Sequence, residues 1–281
     1  MRLEISRSKV NKAAPIAAPH SKSMAHRLLI CAALADGVGI VNGVDISEDI
    51  LATIDCLTSL GAKITAVTGS GQQSEETGIG QNVTLMVSGI PRGAMKGSVL
   101  HCRESGSTLR FIAPLSTLAG TEITLTGSST LLSRPMTVYE KLFEEKGLRM
   151  ERTEGALLVS GSLEAGIYEV PGNISSQFIS GLLFALPLLD GDSRIAIEGR
   201  AESRPYIDMT MEALRQFGVW TGWEKDGQTI SIPGGQCYKA HDVYVEGDWS
   251  GSAFLYALGA DVTGLNGNST QGDKVCLDCF K

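Results

Sequence analysis

Residues 47–61 read SEDILATIDCLTSLG, residues 133–147 read SRPMTVYEKLFEEKG, and residues 203–218 read SRPYIDMTMEALRQFG. From opening serine to closing glycine the span is 14 residues in the first two and 15 in the third, so one helical unit recurs three times. Each copy opens on a serine able to accept from the free amides of a first helical turn, carries apolar residues at helical spacing, and stops on Gly61, Gly147 or Gly218. Pro135 and Pro205 stand early in two of the copies, where a missing N–H costs nothing. Each glycine is followed by a strand-like run, AKITAV, LRMERT or VWTGWE.

Working outward, a second kind of helix precedes each of these. Its copies are SKSMAHRLLICAALADG (21–37), ESGSTLRFIAPLSTLAG (104–120) and SSQFISGLLFALPLLDG (175–191). The strand-like stretches GIVNGV, EITLTG and SRIAIEG lie between the two helix types, so each unit reads strand, helix, strand, helix, strand, strand. The pattern restarts in DWSGSAFLYALGADVTG (248–264), and Ser269 opens another second helix. On the repeat spacing its closing glycine is expected at position 283 or 284, beyond Lys281, which leads us to expect a fragment of a longer polypeptide.

The chain has 281 residues, 43% hydrophobic and 20% charged, enough for one large domain or two small ones. Its 33 glycines and 6% aromatics suit many tight turns between short elements. A net charge of −7 argues against nucleic acid as a partner. With no apolar run of 18 residues and no hydrophobic leader in 1–19, no membrane association and a cytoplasmic location are expected. The six cysteines form no disulfide framework, and Cys276 and Cys279 are a lone CxxC without a second pair to complete a zinc site. No phosphate-binding GxxxxGK[ST] loop and no GxGxxG turn occurs. Four histidines, His20, His26, His101 and His241, show no metal-ligand spacing and read as structural or surface residues.

The chemistry concentrates at the starts of the first helices: Ser21, Lys22 and Ser23; Ser105, Gly106 and Ser107; Ser175, Ser176 and Gln177. Free amides and the positive end of a helix dipole make such turns anion sites. Each serine taken alone reads equally well as an N-cap, and each isolated cation as a solvated surface charge. Lys22, Arg27, Arg110 and Arg134 stand together beside these turns, which points to a small polyanion as ligand.

The motifs resemble those of a known family. SKSMAHR (21–27), ESGSTLRF (104–111), LLSRPM (131–136), GNISSQFISGLL (172–183), SRPYIDMT (203–210) and VEGDWSGSAF (245–254) are similar, in order, to the signatures of the EPSP synthases, enolpyruvyl transferases of the shikimate pathway. The resemblance implies an inside-out α/β fold of βαβαββ units arranged as two similar domains. Here 15–245 would be a complete three-repeat substrate domain, while 1–14 and 246–281 would be an incomplete second one. It implies transfer of the enolpyruvyl group of phosphoenolpyruvate to the 5-hydroxyl of shikimate 3-phosphate, in a monomer, without metal or organic cofactor.

By matching motif positions, Ser175, Ser176 and Ser203 would hold the shikimate phosphate, and Ser23 and Arg27 its carboxylate. Gln177 would lie along the ring and touch phosphoenolpyruvate, and Tyr206 would close the pocket. Lys22, Gly106 and Arg134 would receive phosphoenolpyruvate, Lys22 and Arg134 offsetting its negative charge, and Lys22 would also bind shikimate 3-phosphate and act in catalysis by stabilising charge. The acid and base would lie on the part not present. His20 and Glu104 depart from the family pattern, which usually has Gly and often Asn there. Two other readings stand beside this one: a module that binds shikimate 3-phosphate without turnover, and a UDP-N-acetylglucosamine enolpyruvyl transferase, whose characteristic start and reactive-loop cysteine are not found. A third makes the repeats purely structural, with the polar turns acting only as caps.

Overall fold

A computed structural model describes residues 14–67, 73–74 and 79–279; the expected segment 1–14 falls outside these but for Ala14. The inner helices are α1 (Lys22–Leu34), α3 (Gly106–Ser116) and α6 (Gln177–Ala185). The outer ones are α2 (Glu48–Leu60), α5 (Thr137–Glu145) and α7 (Arg204–Gln216), with a single turn α4 (Ser129–Leu132) before α5. Gly61, Gly147 and Gly218 have φ of 118°, 73° and 75°. The left-handed turn that ends each outer helix explains why a glycine recurs there.

The second copy departs from its sequence pattern at the start. Ser133 is not an N-cap: its hydroxyl donates back to the Thr130 carbonyl at 2.9 Å, and α5 begins four residues later. Pro135 disfavours helical geometry at Arg134, so the chain turns there and leaves the Arg134 side chain exposed. In the third copy Pro205 does lie inside the first turn of α7, and the strand expected over VWTGWE shrinks to Gly222–Trp223.

Each unit builds a sheet of the same order. Val99–His101, Ile123–Thr126, Ala156–Ser160 and Arg149–Thr153 lie side by side, the first pair parallel and the others antiparallel. Ile167–Pro171, Ser193–Glu198, Thr229–Ile232 and Gly222–Trp223 repeat that arrangement. The first unit does so with Val38–Asp45, Asn82–Ser88 and Lys63–Val67, but takes its opening strand from Val243–Tyr244, after the third unit. Ring closure thus joins the two ends of the repeat region. The segment before α1 goes elsewhere: Ile16–Ala17 pairs in parallel with Val262–Thr263.

Burial explains the layering. Every residue of α1 from Met24 to Leu34 is buried, as is all of α3 except Ser107 and Arg110 and all of α6 except Gln177. Helices apolar on every side must sit inside, and the three sheets, with alternating burial, cover them. Edge-on contact of Phe111 with Phe184, centroids 5.6 Å apart, joins α3 to α6. The buried hydroxyl of Tyr139 on α5 reaches the carbonyls of Arg110 and Phe178 at 2.9 and 2.7 Å.

Backbones meet closely where the strand Asn82–Ser88 passes the end of α1. A β-carbon on Gly89 would lie 1.8 Å from the Ala35 carbonyl oxygen. Gly89→Ala is expected to lower the unfolding free energy by about 1–3 kcal/mol in urea titration; an unchanged midpoint would contradict this packing.

Candidate functional site

The residues of the inner helices that escape burial are the polar ones near their N-termini: Lys22 and Ser23 on α1, Ser107 and Arg110 on α3, Gln177 on α6. The capping reading holds for two of the starts. Ser21 accepts from the Met24 amide at 3.3 Å and Ser105 from the Thr108 amide at 3.2 Å. On α6, Ser176 makes no side-chain cap, and Ser175 accepts from the Gln177 amide at 3.3 Å instead.

Three of the starts' polar groups converge between α3 and α6. The Gln177 amide donates to Ser107 Oγ at 2.8 Å, while its carbonyl oxygen accepts from Arg110 Nη1 at 2.7 Å. Arg134, delivered by the turn before α5, meets Arg110 above Gly106: a β-carbon there would lie 2.5 Å from Arg134 Nη1 and 3.3 Å from Arg110 Nη1. Burial, and secondarily the charge of Arg134, depress the Arg110 pKa. Arg110 Nε is buried with no hydrogen-bond partner. Among the described residues neither guanidinium has a carboxylate partner. Two like charges and an orphaned donor around the helix start of α3 make a site that gains from an anion.

Arg27 is 2% exposed. Its Nε donates to Thr210 Oγ1 at 2.8 Å, Nη1 to the Ser23 carbonyl at 2.7 Å, and Nη2 to the Tyr206 carbonyl at 3.0 Å. The guanidinium lies 5.2 Å over the Phe111 ring. Burial lowers its pKa to about 10, so it remains charged at neutral pH with only neutral oxygens around it. These bonds use three of its five N–H groups. Thr210, in turn, sits 2.8 Å from Ser180, tying α7 to α6.

The remaining expected residues differ in state. Lys22 is not a free cation: its Nζ pairs with Asp49 on α2 at 2.5 Å. Ser203 begins α7 without capping it, leaving its hydroxyl uncommitted to the helix, and the adjoining Glu202 amide donates to the Gly172 carbonyl at 3.1 Å, bringing the Ser203 turn beside the loop that carries Ser175. The Tyr206 hydroxyl lies 3.3 Å from Asp273. Glu104 is exposed and enters no ion pair among the described residues. His20, one residue before the Ser21 cap of α1, is held by Asp45, Asn82 and Tyr244.

Sequence reasoning missed Asp49, Thr210 and Asp273. Asp49 reads as an ordinary first-turn acid of α2, and Thr210 as a helix-interior residue; only the packing of α1 against both reveals them.

Inner helices that present their polar starts on one side, wrapped by three sheets of identical order, define an inside-out α/β protein of the enolpyruvyl-transferase type. The sequence model for EPSP synthase (3-phosphoshikimate 1-carboxyvinyltransferase) matches residues 7–279, and the chain belongs to that family. It is 42% identical over 270 residues to a 3-phosphoshikimate 1-carboxyvinyltransferase of Clostridium beijerinckii, a match covering 94% of this chain and 60% of the relative. A Clostridium perfringens enzyme of the same name is 40% identical over 273 residues, with the same coverage. The chain therefore spans about 60% of the length of the curated relatives it matches. An Acinetobacter baumannii EPSP synthase structure aligns with a TM-score of 0.70 at 25% identity, over 86% of this chain and 52% of that one. A second structure from that organism gives 0.76 at 24% identity, over 94% and 58%, a likeness of fold.

One buried group in this region sets a pH dependence. His26 donates or accepts at Nδ1 with Thr53 at 2.7 Å, and its Nε2 is buried without a partner. Burial, helped by the charges of Arg27 and Lys22, lowers its pKa to about 3. The unfolded chain protonates near pH 6.5, so the stability from neutral His26 is complete above that value and is lost as pH falls toward 3. Between pH 7.5 and 5 the wild type should lose about 2 kcal/mol more than His26→Gln in urea titrations. Equal losses would exclude His26 as the group responsible.

Proposed function

We propose that the whole protein transfers the enolpyruvyl group of phosphoenolpyruvate to the 5-hydroxyl of shikimate 3-phosphate, and that this chain carries the shikimate 3-phosphate half of the site. The observation that carries the reading is the meeting of Arg110 and Arg134 at Gly106, without a carboxylate partner among the described residues, together with a buried Arg27 equally without one. Such a set is repelled internally until an anion arrives.

In this reading Ser175, Ser176 and Ser203 grip the phosphate of shikimate 3-phosphate, with Lys22 reaching it from α1. Ser23 and the spare N–H groups of Arg27 take its carboxylate. Gln177, already oriented by Ser107 and Arg110, lies along the ring, and Tyr206 closes the pocket. Phosphoenolpyruvate sits over Gly106 against Arg134, where a side chain would collide with the guanidinium. Lys22 must exchange its contact with Asp49 for the incoming charge. The substrate hydroxyl gives up its proton and adds to the phosphate-bearing enol carbon while another proton goes to the methylene carbon, and the methyl group so formed then loses a proton as phosphate leaves. The cations hold the charge on the phosphate throughout. No cofactor is required by this chemistry.

The domain division expected from the family goes with this reading, with one adjustment. Ile16 and Ala17 pair with Val262 and Thr263, and the bridge between His20 and Gly247 marks where the two chain crossings lie side by side. We place the boundary at Pro19–Ser21 and at 245–247 rather than after residue 14. The proposed setting is a cytoplasmic monomer acting on small molecules. Glu246 organises the piece beyond, accepting from Ser269, Gln271 and Asn266.

Titration calorimetry with shikimate 3-phosphate tests the site. Binding is expected for the wild type, with loss of about 1–3 kcal/mol in Ser175→Ala and in Gln177→Ala and a larger loss in Arg27→Gln, while unphosphorylated shikimate binds far more weakly. Heat that is unchanged across these variants would remove the proposed residues. An assay with both substrates separates turnover from binding alone.

A further inference from the structure

The inner helices end together at the pole opposite their polar starts, and there they leave a cavity of about 520 Å³. Its floor is apolar, formed by Leu34 at the end of α1, Leu118 just beyond α3, Leu188 just beyond α6, and Ile90 and Met95 from the loop after the strand Asn82–Ser88. A space of this size falls within the range of small-molecule pockets. Its lining carries three carboxylates, Asp36, Glu164 and Asp190, and one guanidinium, that of Arg92, while Lys239 pairs in register with Asp36 on the neighbouring strand. Arg92 is already engaged with Asp190 at 3.0 Å. Among the described residues neither Asp36 nor Glu164 enters an ion pair.

Two fields therefore have the same sign at this mouth. Unmatched carboxylates contribute one. The partial negative charge of helix C-terminal ends contributes the other, met in part by the Ile90 amide on the Ala33 carbonyl and the Gln236 amide on the Pro187 carbonyl. The opposite pole, with Arg27, Arg110 and Arg134 at the helix starts, has the reverse sign, so an anion that suits that pole is disfavoured here.

We propose that this cavity is a second ligand site, for a small amphipathic cation whose apolar body fills the leucine-lined floor and whose ammonium group lies between Asp36 and Glu164. The site goes beyond the enolpyruvyl-transfer reading and does not depend on it. A ligand seated here touches the end of α1 and the turns that follow α3 and α6.

The test uses three near-isosteric probes on the full chain: 3-phenylpropylamine, 3-phenylpropanol and 3-phenylpropionate, titrated by ligand-observed NMR. The amine is expected to bind about tenfold or more tightly than the carboxylate, with the alcohol between them. Glu164→Gln with Asp36→Asn should bring the amine to the level of the alcohol. Leu118→Trp should fill the floor and abolish binding; the exposed Ala165→Phe at the rim serves the same purpose without disturbing the core, and thermal unfolding checks that each variant folds. Absence of amine binding to folded wild type at millimolar concentration, equal affinity for all three probes, or binding that survives in both folded plugging variants overturns the proposal. Each of these results leaves the shikimate 3-phosphate titration untouched, because that site is at the other ends of the helices.

Discussion

The architecture depends on one constraint: α1, α3 and α6 are buried along nearly their whole length, and only residues of their first two turns reach outward. A helix without a polar face can be accommodated only in the interior, so the strands must form a surrounding wall. Once that holds, the polar groups of these helices that reach outward are confined to their N-terminal halves. The starts take up cations and hydroxyls, and the far ends leave an apolar cavity rimmed by carboxylates.

Adjacent residues on α1 then tie the helix layer together by opposite means. His26, neutral because burial lowers its pKa to about 3, begins a hydroxyl chain through Thr53 on α2 to Thr108 on α3, each link 2.7 Å. Arg27, which stays charged, runs the other way through Thr210 on α7 to Ser180 on α6. A buried charge of this kind is costly without an opposite partner. Here it is partly offset by neutral oxygens and the Phe111 face, which keeps Arg27 in place without neutralising its charge.

The departures from the family pattern are accommodated differently. His20 stands at the paired crossings and is bound by Asp45, Asn82 and Tyr244, so its bulk fills space beside Gly43, where a β-carbon would lie 2.8 Å from the imidazole ring. Glu104 simply faces solvent just before the cap of α3, where its charge favours the helix start and opposes an anion bound there.

Sequence alone determined what is local or periodic: the three outer helices with their glycine stops, the inner helices with their serine starts, the order of strands, and the cations that accompany them. These follow from helical spacing, capping chemistry and turn geometry within a few residues. Tertiary structure decided what joins residues far apart. It gave the first unit its opening strand from Val243–Tyr244 and paired Lys22 with Asp49 while leaving Arg110 and Arg134 together. It also turned Thr210 from an unremarked helix residue into the partner of Arg27. The physical reason is that charge state and hydrogen-bond supply depend on which side chains burial brings within about 3 Å, and no spacing along the chain encodes that distance.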